Sequence, residues 1–176
     1  FILPPAVHKD AEWAGLAVLS NGGEVRRLAD GRVLSGHYLR AEALLPLVEG
    51  AGKLGVPIEL SAGEGLHLTR ADWEYQRRID GPLRFHLTEV LDRFGHEVED
   101  MSAFCGSAPA VDKVNLPYIP DETRAAAERM LNSLPLSWFW SGPRSVELGH
   151  PDASKAAGLL EVCRLLDISP AQAMAL

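Results

Sequence analysis

Lys155 is the residue of this sequence whose type and position most directly suggest chemistry. It follows Ser154 at the start of a predicted, mainly apolar helix over residues 154–166. Helix N-termini attract anions because their free N–H groups and the positive end of the helix dipole lie there, and an ammonium group adds to that potential. We interpret this position as a candidate anion-binding site, with a solvated surface lysine as the alternative.

Asn21 is a second candidate, because it lies in a polar turn that directly follows a short apolar strand. The turn reads Ser20-Asn21-Gly22-Gly23. Asparagine tolerates the left-handed backbone conformation of such turns. Two interpretations therefore stay open, a contact between the Asn21 amide and a ligand, and a purely structural role in the turn.

Metal chemistry has little support in the sequence. The two cysteines lie far apart without a Cys-x-x-Cys motif, and no histidine pair has the short spacing typical of a zinc site. The six histidines are His8, His37, His67, His86, His96 and His150. The acidic stretches at 97–100 and 121–122 are typical of helix caps or solvated faces. We predict that no metal is bound by this chain.

Trp138 and Trp140 lie on one side of a predicted strand, and Phe139 lies on the other. Alternation of this kind favours packing of the two indoles in the core, and a stacking surface for a substrate or partner is the alternative. The sequence alone does not decide the role of these rings.

Composition excludes several classes of protein. The chain has 176 residues, which fits one domain, and its 24 acidic and 17 basic residues give a formal net charge of -7. That balance argues against a general nucleic-acid binder. No apolar run reaches the roughly 20 residues of a transmembrane helix. We therefore predict no nucleic acid, no membrane and, from the unpaired cysteines, a reducing cytoplasmic location.

The predicted elements form an α/β pattern that positions these candidates. Strand pairs are predicted at 24–28 with 33–38, at 56–61 with 66–69, and at 136–141 with 145–148, and a single strand at 113–116. Helices are predicted over 41–54, from 120 to 134 and from 154 to 166. Residues 71–106 stay open between helix and loop. This order suits an antiparallel sheet with helices on one face.

Two ends of the chain resemble one family. Ser145-Val146-Glu147-Leu148, a short linker, Asp152-Ala153-Ser154-Lys155 and, after the helix, Leu165-Leu166-Asp167-Ile168-Ser169-Pro170 resemble the third conserved block of the haloacid dehalogenase (HAD) superfamily. The Cof-type hydrolases are the most similar members. Leu19-Ser20-Asn21-Gly22-Gly23-Glu24-Val25 is similar to the segment that leads from their core into a C2-type (IIB) cap.

The resemblance implies a fold and a division of the chain. Residues 1–22 and 144–176 would belong to a HAD-like core with a parallel, Rossmann-like sheet, the second segment carrying Lys155. Residues 23–143 would form an α/β cap with an antiparallel sheet. Strand 16–19 would run parallel to residues 173–176, with Asn21 and Lys155 at the same sheet edge.

The resemblance also implies an activity, a magnesium-dependent phosphatase of a small phosphorylated metabolite such as a sugar phosphate. Lys155 would orient an aspartate nucleophile and balance phosphoryl charge, and Asn21 would contact substrate. The family's Asp-x-Asp-Gly-Thr nucleophile motif, its phosphate-binding Ser or Thr and its magnesium-binding acidic pair do not occur here.

The chain is therefore expected to be a fragment, mainly the specificity cap, that is inactive alone and binds no Mg²⁺ itself. Apolar edges left by missing core strands would favour a homodimer, aggregation or origin by proteolysis. The alternative is a non-catalytic ligand-binding or interaction domain with a ferredoxin-like α/β fold.

Overall fold

The computed structural model describes residues 14–79, 86–107 and 109–173, which form two sheets. The smaller sheet has three antiparallel strands in the order β1-β2-β3. They are β1 (Leu16–Leu19), β2 (Glu24–Arg27) and β3 (Val33–Gly36). The hairpin formed by β2 and β3 has its turn at Asp30 and Gly31, and Gly31 has a left-handed φ of 69°. The hairpin predicted from this Asp-Gly pair is confirmed.

The larger sheet has six strands in the order β6-β5-β4-β7-β9-β8. Its strands are β4 (Glu59–Ala62), β5 (Gly65–Thr69), β6 (Gly95–Val98), β7 (Val111–Leu116), β8 (Ser137–Trp140) and β9 (Val146–Gly149). Every neighbouring pair is antiparallel except β5 and β6, which are parallel. Sequence inspection missed β6, because its residues Gly-His-Glu-Val carry a weak strand pattern inside a charged region.

The α-helices are α1 (Ala41–Leu54), α2 (Arg70–Arg78), α3 (Asp92–Phe94), α4 (Met101–Gly106), α5 (Arg124–Asn132) and α6 (Lys155–Leu165). A π-helical turn (Leu87–Leu91) runs into α3, and 3-10 turns lie at Ser20–Gly22 and Pro170–Gln172. Helix α1 has the predicted bounds. None of the helices in the described part of the chain is long and apolar enough to cross a membrane.

The main hydrophobic core lies between one face of the six-stranded sheet and helices α1, α4 and α5. Alternate residues of the central strands, such as Leu60 and Val114, are fully buried there, and Leu47 of α1 and Leu131 of α5 meet them. Period-2 alternation in the strands and 3.6-residue periodicity in the helices produce this packing. The predicted arrangement of helices against one face of an antiparallel sheet is confirmed for this core.

The opposite face of the six-stranded sheet is polar over its centre. Because side chains alternate along a strand, Glu59, Ser61, Lys113 and Asn115 point away from the buried Leu60 and Val114. At β5 a second, smaller apolar cluster covers this face. It contains Leu66, Leu68 and Leu91, with Trp73, Leu87 and Val90 packed against it. The polar face is therefore bounded on one side by the segment around Val90.

Helix α6 packs on the three-stranded sheet and on the Ser20–Gly22 turn. The expected division at 22/23 and 143/144 placed β2 and β3 with the cap and β9 with the core. Hydrogen bonding instead groups β2 and β3 with β1, and β9 with β7 and β8. The expected pairing of β1 with residues 173–176 falls mostly outside the described residues. Among those described, β1 pairs with β2.

Candidate functional site

The turn between β1 and β2 projects Asn21 towards the six-stranded sheet. Ser20, Asn21 and Gly22 all have positive φ angles, of 49°, 56° and 94°. Asparagine and glycine tolerate this backbone region, so the local sequence suits the turn. Asn21 Nδ2 donates a hydrogen bond of 2.6 Å to Glu147 Oε2 on β9. The turn is thereby tied to the larger sheet.

Lys155 is the first residue of α6. The Ser154 side chain caps the helix by accepting a hydrogen bond of 3.0 Å from the Ala157 N–H. Lys155 is exposed, and within residues 14–79, 86–107 and 109–173 no carboxylate forms an ion pair with it. An ammonium group that is not neutralised, at the positive end of a helix dipole, is suited to an anion.

A close backbone contact brings the turn and the helix together. A Cβ at Gly22 would lie 1.9 Å from the Ser154 carbonyl oxygen, so only glycine fits there. Gly158, one turn into α6, packs against Val18 and Gly22 in the same way. As a result, Asn21 and Lys155 line one cavity of about 440 Å³, together with Trp138 and Phe139 of β8.

The aromatic run on β8 is partly packed in the core and partly exposed. Trp138 and Trp140 pack against the main core and meet edge to face with their ring centroids 6.4 Å apart. Arg124 lies over the Trp140 ring at 3.8 Å. Phe139 is 48% exposed and faces the cavity of Asn21 and Lys155. Trp140 is thus structural, whereas Trp138 and Phe139 give the cavity an aromatic wall.

A second cavity, of about 470 Å³, lies over the polar face of the six-stranded sheet, and Ser20 lines both cavities. At its centre Glu59 is fully buried. The Glu59 carboxylate lies 2.9 Å from His86 Nε2 and accepts a hydrogen bond of 3.2 Å from Asn115 Nδ2. A buried carboxylate held by two side chains is a fixed hydrogen-bond acceptor in the wall of this cavity.

Asp112 joins the two sheets at the edge of the same cavity. The Ser20 hydroxyl donates to Asp112 Oδ2 at 2.6 Å, while Oδ1 has no partner among the described residues. Burial raises the pKa of Asp112, and hydrogen bonds from Ser20 and Ser61 offset part of that rise. The charged form of Asp112 is therefore less stable here than in water.

A buried ion pair completes the wall on the side of the three-stranded sheet. Arg26 Nε lies 2.5 Å from Glu24 Oε2, and the Tyr38 hydroxyl donates to Glu24 Oε1 at 2.8 Å. Burial and the Glu24 carboxylate raise the pKa of Tyr38 to about 12, so the phenol stays protonated at neutral pH. Lys113 lies 3.7 Å from Glu147 on the opposite wall.

The charge of this larger cavity is net negative. Its lining contains five carboxylates against Arg26, Lys113 and one histidine. The carboxylates are Glu24, Glu59, Glu64, Asp112 and Glu147. A ligand rich in hydroxyl donors fits such a surface, whereas an anionic group such as a phosphate would be repelled by the carboxylates.

The side chains around Asn21 and Lys155 do not suit a magnesium ion. Mg²⁺ prefers octahedral oxygen ligands, with at least one free carboxylate. The carboxylate next to Asn21 is Glu147, which already contacts Asn21 and Lys113, and the Lys155 ammonium repels a dication. The described residues therefore do not form a magnesium site at this position.

The structure brings together Asn21 and Lys155, which the sequence singled out, and adds Glu147, which it did not. Glu147 reads as an ordinary polar residue in an alternating strand, and only the pairing of β9 with β7 directs it to Asn21. The structure also brings His37 next to His150, with ring centroids 5.4 Å apart. Their distance in sequence hid this contact.

Comparison with known proteins agrees with the fold. The model of a family described as haloacid dehalogenase-like hydrolase matches residues 6–176. The architecture is α/β, with an antiparallel hairpin sheet, a larger mixed sheet and a lysine at a helix N-terminus. The chain belongs to the haloacid dehalogenase-like hydrolase family. A comparison with curated proteins gave no match.

Solved structures share the fold at low sequence identity. A haloacid dehalogenase-like hydrolase from B. subtilis superposes with a TM-score of 0.71 at 13% identity, covering 93% of this chain and 64% of its own. One from Bacteroides thetaiotaomicron gives 0.71 at 18%, covering 92% and 57%. A structure described as a HAD subclass IIB sugar phosphatase gives 0.68 at 13%, covering 93% and 57%. This chain thus spans 57–64% of the length of these three.

Proposed function

We propose that this chain supplies the cap and the lysine-bearing part of a Cof-like phosphatase that hydrolyses a small phosphorylated metabolite, such as a sugar phosphate. The observation that carries the proposal is the shared cavity of Asn21 and Lys155, which combines an amide, an unpaired ammonium and a helix N-terminus. Family membership and the likeness to a sugar phosphatase support it.

Lys155 would stabilise the charge of the phosphoryl group during transfer. Phosphoryl transfer depends mainly on positioning and electrostatic stabilisation, and a fixed cation at a helix N-terminus provides both. Asn21 would orient an oxygen of the same group while Glu147 holds its amide in place. We place the aspartate nucleophile and the Mg²⁺ ligands of the enzyme in other parts of the protein, since this sequence has no Asp-x-Asp-Gly-Thr motif.

The two sheets would have different roles, one in the core and one in the cap. We propose that the three-stranded sheet with α6 belongs to the core side and that the six-stranded sheet is the cap, with its polar face towards the reacting phosphate. His86 and Asn115, which the buried Glu59 carboxylate orients, would form hydrogen bonds with the hydroxyl groups of the leaving alcohol. A closed cap would also exclude water from the phosphoryl group.

The test is hydrolysis of p-nitrophenyl phosphate with Mg²⁺ by the complete protein that contains this chain. Lys155→Met should lower kcat/KM by about 100-fold or more, the scale for removing one group that stabilises transition-state charge. Lys53→Met is the matched control, because Lys53 is an exposed lysine paired with Glu49 on α1. Unchanged activity in Lys155→Met would contradict the role of this lysine.

The 176-residue chain alone is expected to show no Mg²⁺-dependent turnover. An intact mass near 19.1 kDa, measured on the assayed sample, ensures that the chain itself was tested. If the complete protein were also inactive towards a panel of sugar phosphates, the non-catalytic ligand-binding domain would become the better interpretation.

A further inference from the structure

His37, His150 and Asp152 form a cluster on the side of the molecule where the two sheets are connected. One ligand atom of each residue lies within 4.8 Å of the other two. The His37 and His150 rings stack with their centroids 5.4 Å apart and their planes inclined by 29°. Asp152 Oδ2 lies 3.7 Å from His150 Nδ1. None of these three residues lines the cavities described above.

The backbone fixes both histidines before any ligand binds. The His37 N–H donates to the Gly23 carbonyl at 2.7 Å, which anchors it to the turn after β1. The Ser137 hydroxyl lies 3.1 Å from the His150 carbonyl oxygen and anchors it to β8. The backbone position from which each imidazole ring projects is thus fixed by a hydrogen bond. Sites whose first ligands are held in place lose less entropy when they bind a metal.

The chemical state of His150 suits coordination. Its Nδ1 accepts a hydrogen bond of 3.2 Å from the Asp152 N–H, so the Nδ1 lone pair points to the Asp152 backbone. A metal at Nδ1 would replace this long hydrogen bond. His150 is half-buried, whereas the Asp152 carboxylate is mostly exposed, with 75% of its side chain accessible, and it can rotate towards the rings.

We propose that His37, His150 and Asp152 bind a divalent transition metal of the Zn²⁺ class. Two imidazoles and one carboxylate match the ligand set of open zinc sites, with water in the remaining position. With metal–ligand distances of about 2.0–2.2 Å, ligand atoms lie about 3.4 Å apart in a tetrahedron. In the present cluster these atoms lie up to 4.8 Å apart, so they must approach by about 1.4 Å to reach that geometry. Mg²⁺ is disfavoured because it prefers oxygen ligands.

The position of this site gives the metal a structural consequence. His37 lies in the connection that leads from β3 to Leu39. The Leu39 N–H donates a hydrogen bond to the carbonyl oxygen of Val111 in the six-stranded sheet. His150 lies in the connection that returns from β9 to α6. A metal bound by both His37 and His150 would cross-link the two connections between the sheets. Binding would therefore restrict movement of the six-stranded sheet relative to the three-stranded sheet.

The charge beside the two rings comes from Asp152. Its Oδ2 lies 3.7 Å from His150 Nδ1, and among the described residues no lysine or arginine forms an ion pair with it. This carboxylate can therefore contribute its negative charge to a bound dication.

The test titrates the untagged 176-residue chain with Zn²⁺, Co²⁺ and Mg²⁺ and follows binding by calorimetry and by the visible absorption of bound Co²⁺. One Zn²⁺ per chain is expected, bound at least tenfold more tightly than Mg²⁺. His37→Gln, His150→Gln and Asp152→Asn should each weaken Zn²⁺ binding at least tenfold while leaving the metal-free circular dichroism unchanged. The assay needs no catalytic activity, so its result is independent of the proposed phosphatase.

The second stacked histidine pair provides the matched control. His67 and His96 stack with centroids 5.2 Å apart, and they are not part of a metal-ligand cluster in the described residues. His96→Gln should leave Zn²⁺ binding unchanged. Equal loss in His96→Gln, retained binding in His150→Gln or absence of Zn²⁺ binding would each overturn the site. Hydrogen exchange of the Leu39 and Ala153 amides should slow with Zn²⁺, and unchanged exchange would overturn the cross-link.

Discussion

The two sheets of this protein are stabilised differently. The six-stranded sheet buries a continuous apolar core against three helices, in which Leu47, Leu60, Val114 and Leu131 are fully inaccessible. The three-stranded sheet buries an ion pair, Glu24 with Arg26, and the helix packed on it leaves large apolar side chains in solvent. Those exposed residues are Leu159 and Leu160, and Leu166 and Ile168 in the segment after the helix are exposed as well.

The difference shows how the site is held. Asn21 and Lys155 both belong to the smaller unit, which has little apolar core to fix them. Their positions depend instead on a backbone contact between Gly22 and Ser154, and on hydrogen bonds from the turn to Asp112 and Glu147 on the larger sheet. The six-stranded sheet thus provides most of the buried core. Lys155, the charged group of the site, lies on α6, which packs on the three-stranded sheet and is less buried.

The largest expected effect tests the contrast between the two cores. Leu60→Ala removes a fully buried side chain from the central strand β4 and should cost about 2–5 kcal/mol of unfolding free energy, through lost burial and the cavity left behind. The matched change Leu160→Ala, on α6, removes a side chain that is 54% exposed and should cost less than about 0.5 kcal/mol. Urea unfolding followed by circular dichroism measures both.

Similar costs for the two variants would break the comparison. In particular, a loss of several kcal/mol in Leu160→Ala would mean that α6 is covered in solution, for instance in the homodimer that its apolar residues favour. Sedimentation of the same samples would then show the larger species. An unchanged slope of free energy against urea keeps the two values comparable.

The second prediction concerns the contact between the turn and α6. Gly22→Ala forces a methyl group to within 1.9 Å of the Ser154 carbonyl oxygen at a φ of 94°, so the turn and the helix must separate. A cost of about 2–3 kcal/mol is expected, because overpacking adds to backbone strain. The separation should also break the hydrogen bond between Asn21 and Glu147, which the Asn21 side-chain amide signals report in NMR spectra.

Gly31→Ala is the control for backbone strain alone. Gly31 also has a positive φ, of 69°, but a Cβ there would meet no atom within 4 Å. It should cost about 1 kcal/mol, from the left-handed conformation of a residue other than glycine. If Gly22→Ala cost no more than Gly31→Ala, the contact between the turn and α6 would not hold the site together.

These residues also show what the sequence could predict. Elements with strong local signals are confirmed, such as the Asp-Gly hairpin at residues 30–31, helix α1 and the helix that begins at Ser154 and Lys155, where the Ser154 hydroxyl is the cap. Each depends on neighbours in sequence, namely turn chemistry, apolar periodicity or a capping hydroxyl. Strand β6 has no such local signal, since its pairing with β5 is what makes it a strand.

The site was predictable only in part, for the same reason. Lys155 and Asn21 stand in recognisable local motifs, whereas Glu147, Asp112 and the contact of His37 with His150 arise from strand order. The same holds for β9, which is a neighbour of α6 in sequence but pairs with β7 in space. Long-range pairing carries information that local patterns lack.

The smallest expected effect concerns the junction between the sheets. Burial raises the pKa of Asp112, so the folded chain holds a proton there more tightly than the unfolded chain. Stability should therefore fall as the pH rises from about 3.8 through the raised pKa, and stay lower above it. Asp112→Asn keeps an oxygen for the Ser20 hydroxyl without the charge. It should raise the unfolding free energy at pH 7 by about 1 kcal/mol.

The control residue is Asp30, whose contribution to stability should have the opposite pH dependence. Asp30, on the exposed hairpin, has its pKa lowered to about 2 by its hydrogen bonds from Arg27, so its contribution is present above pH 3.8 and is lost as the pH falls towards 2. Asp30→Asn should therefore lower the unfolding free energy at pH 7 and leave it unchanged below about pH 2. If Asp112→Asn instead destabilised the chain at pH 7, the charged carboxylate would be what binds the turn to the larger sheet. The junction would then be electrostatic, as the interior of the smaller sheet is.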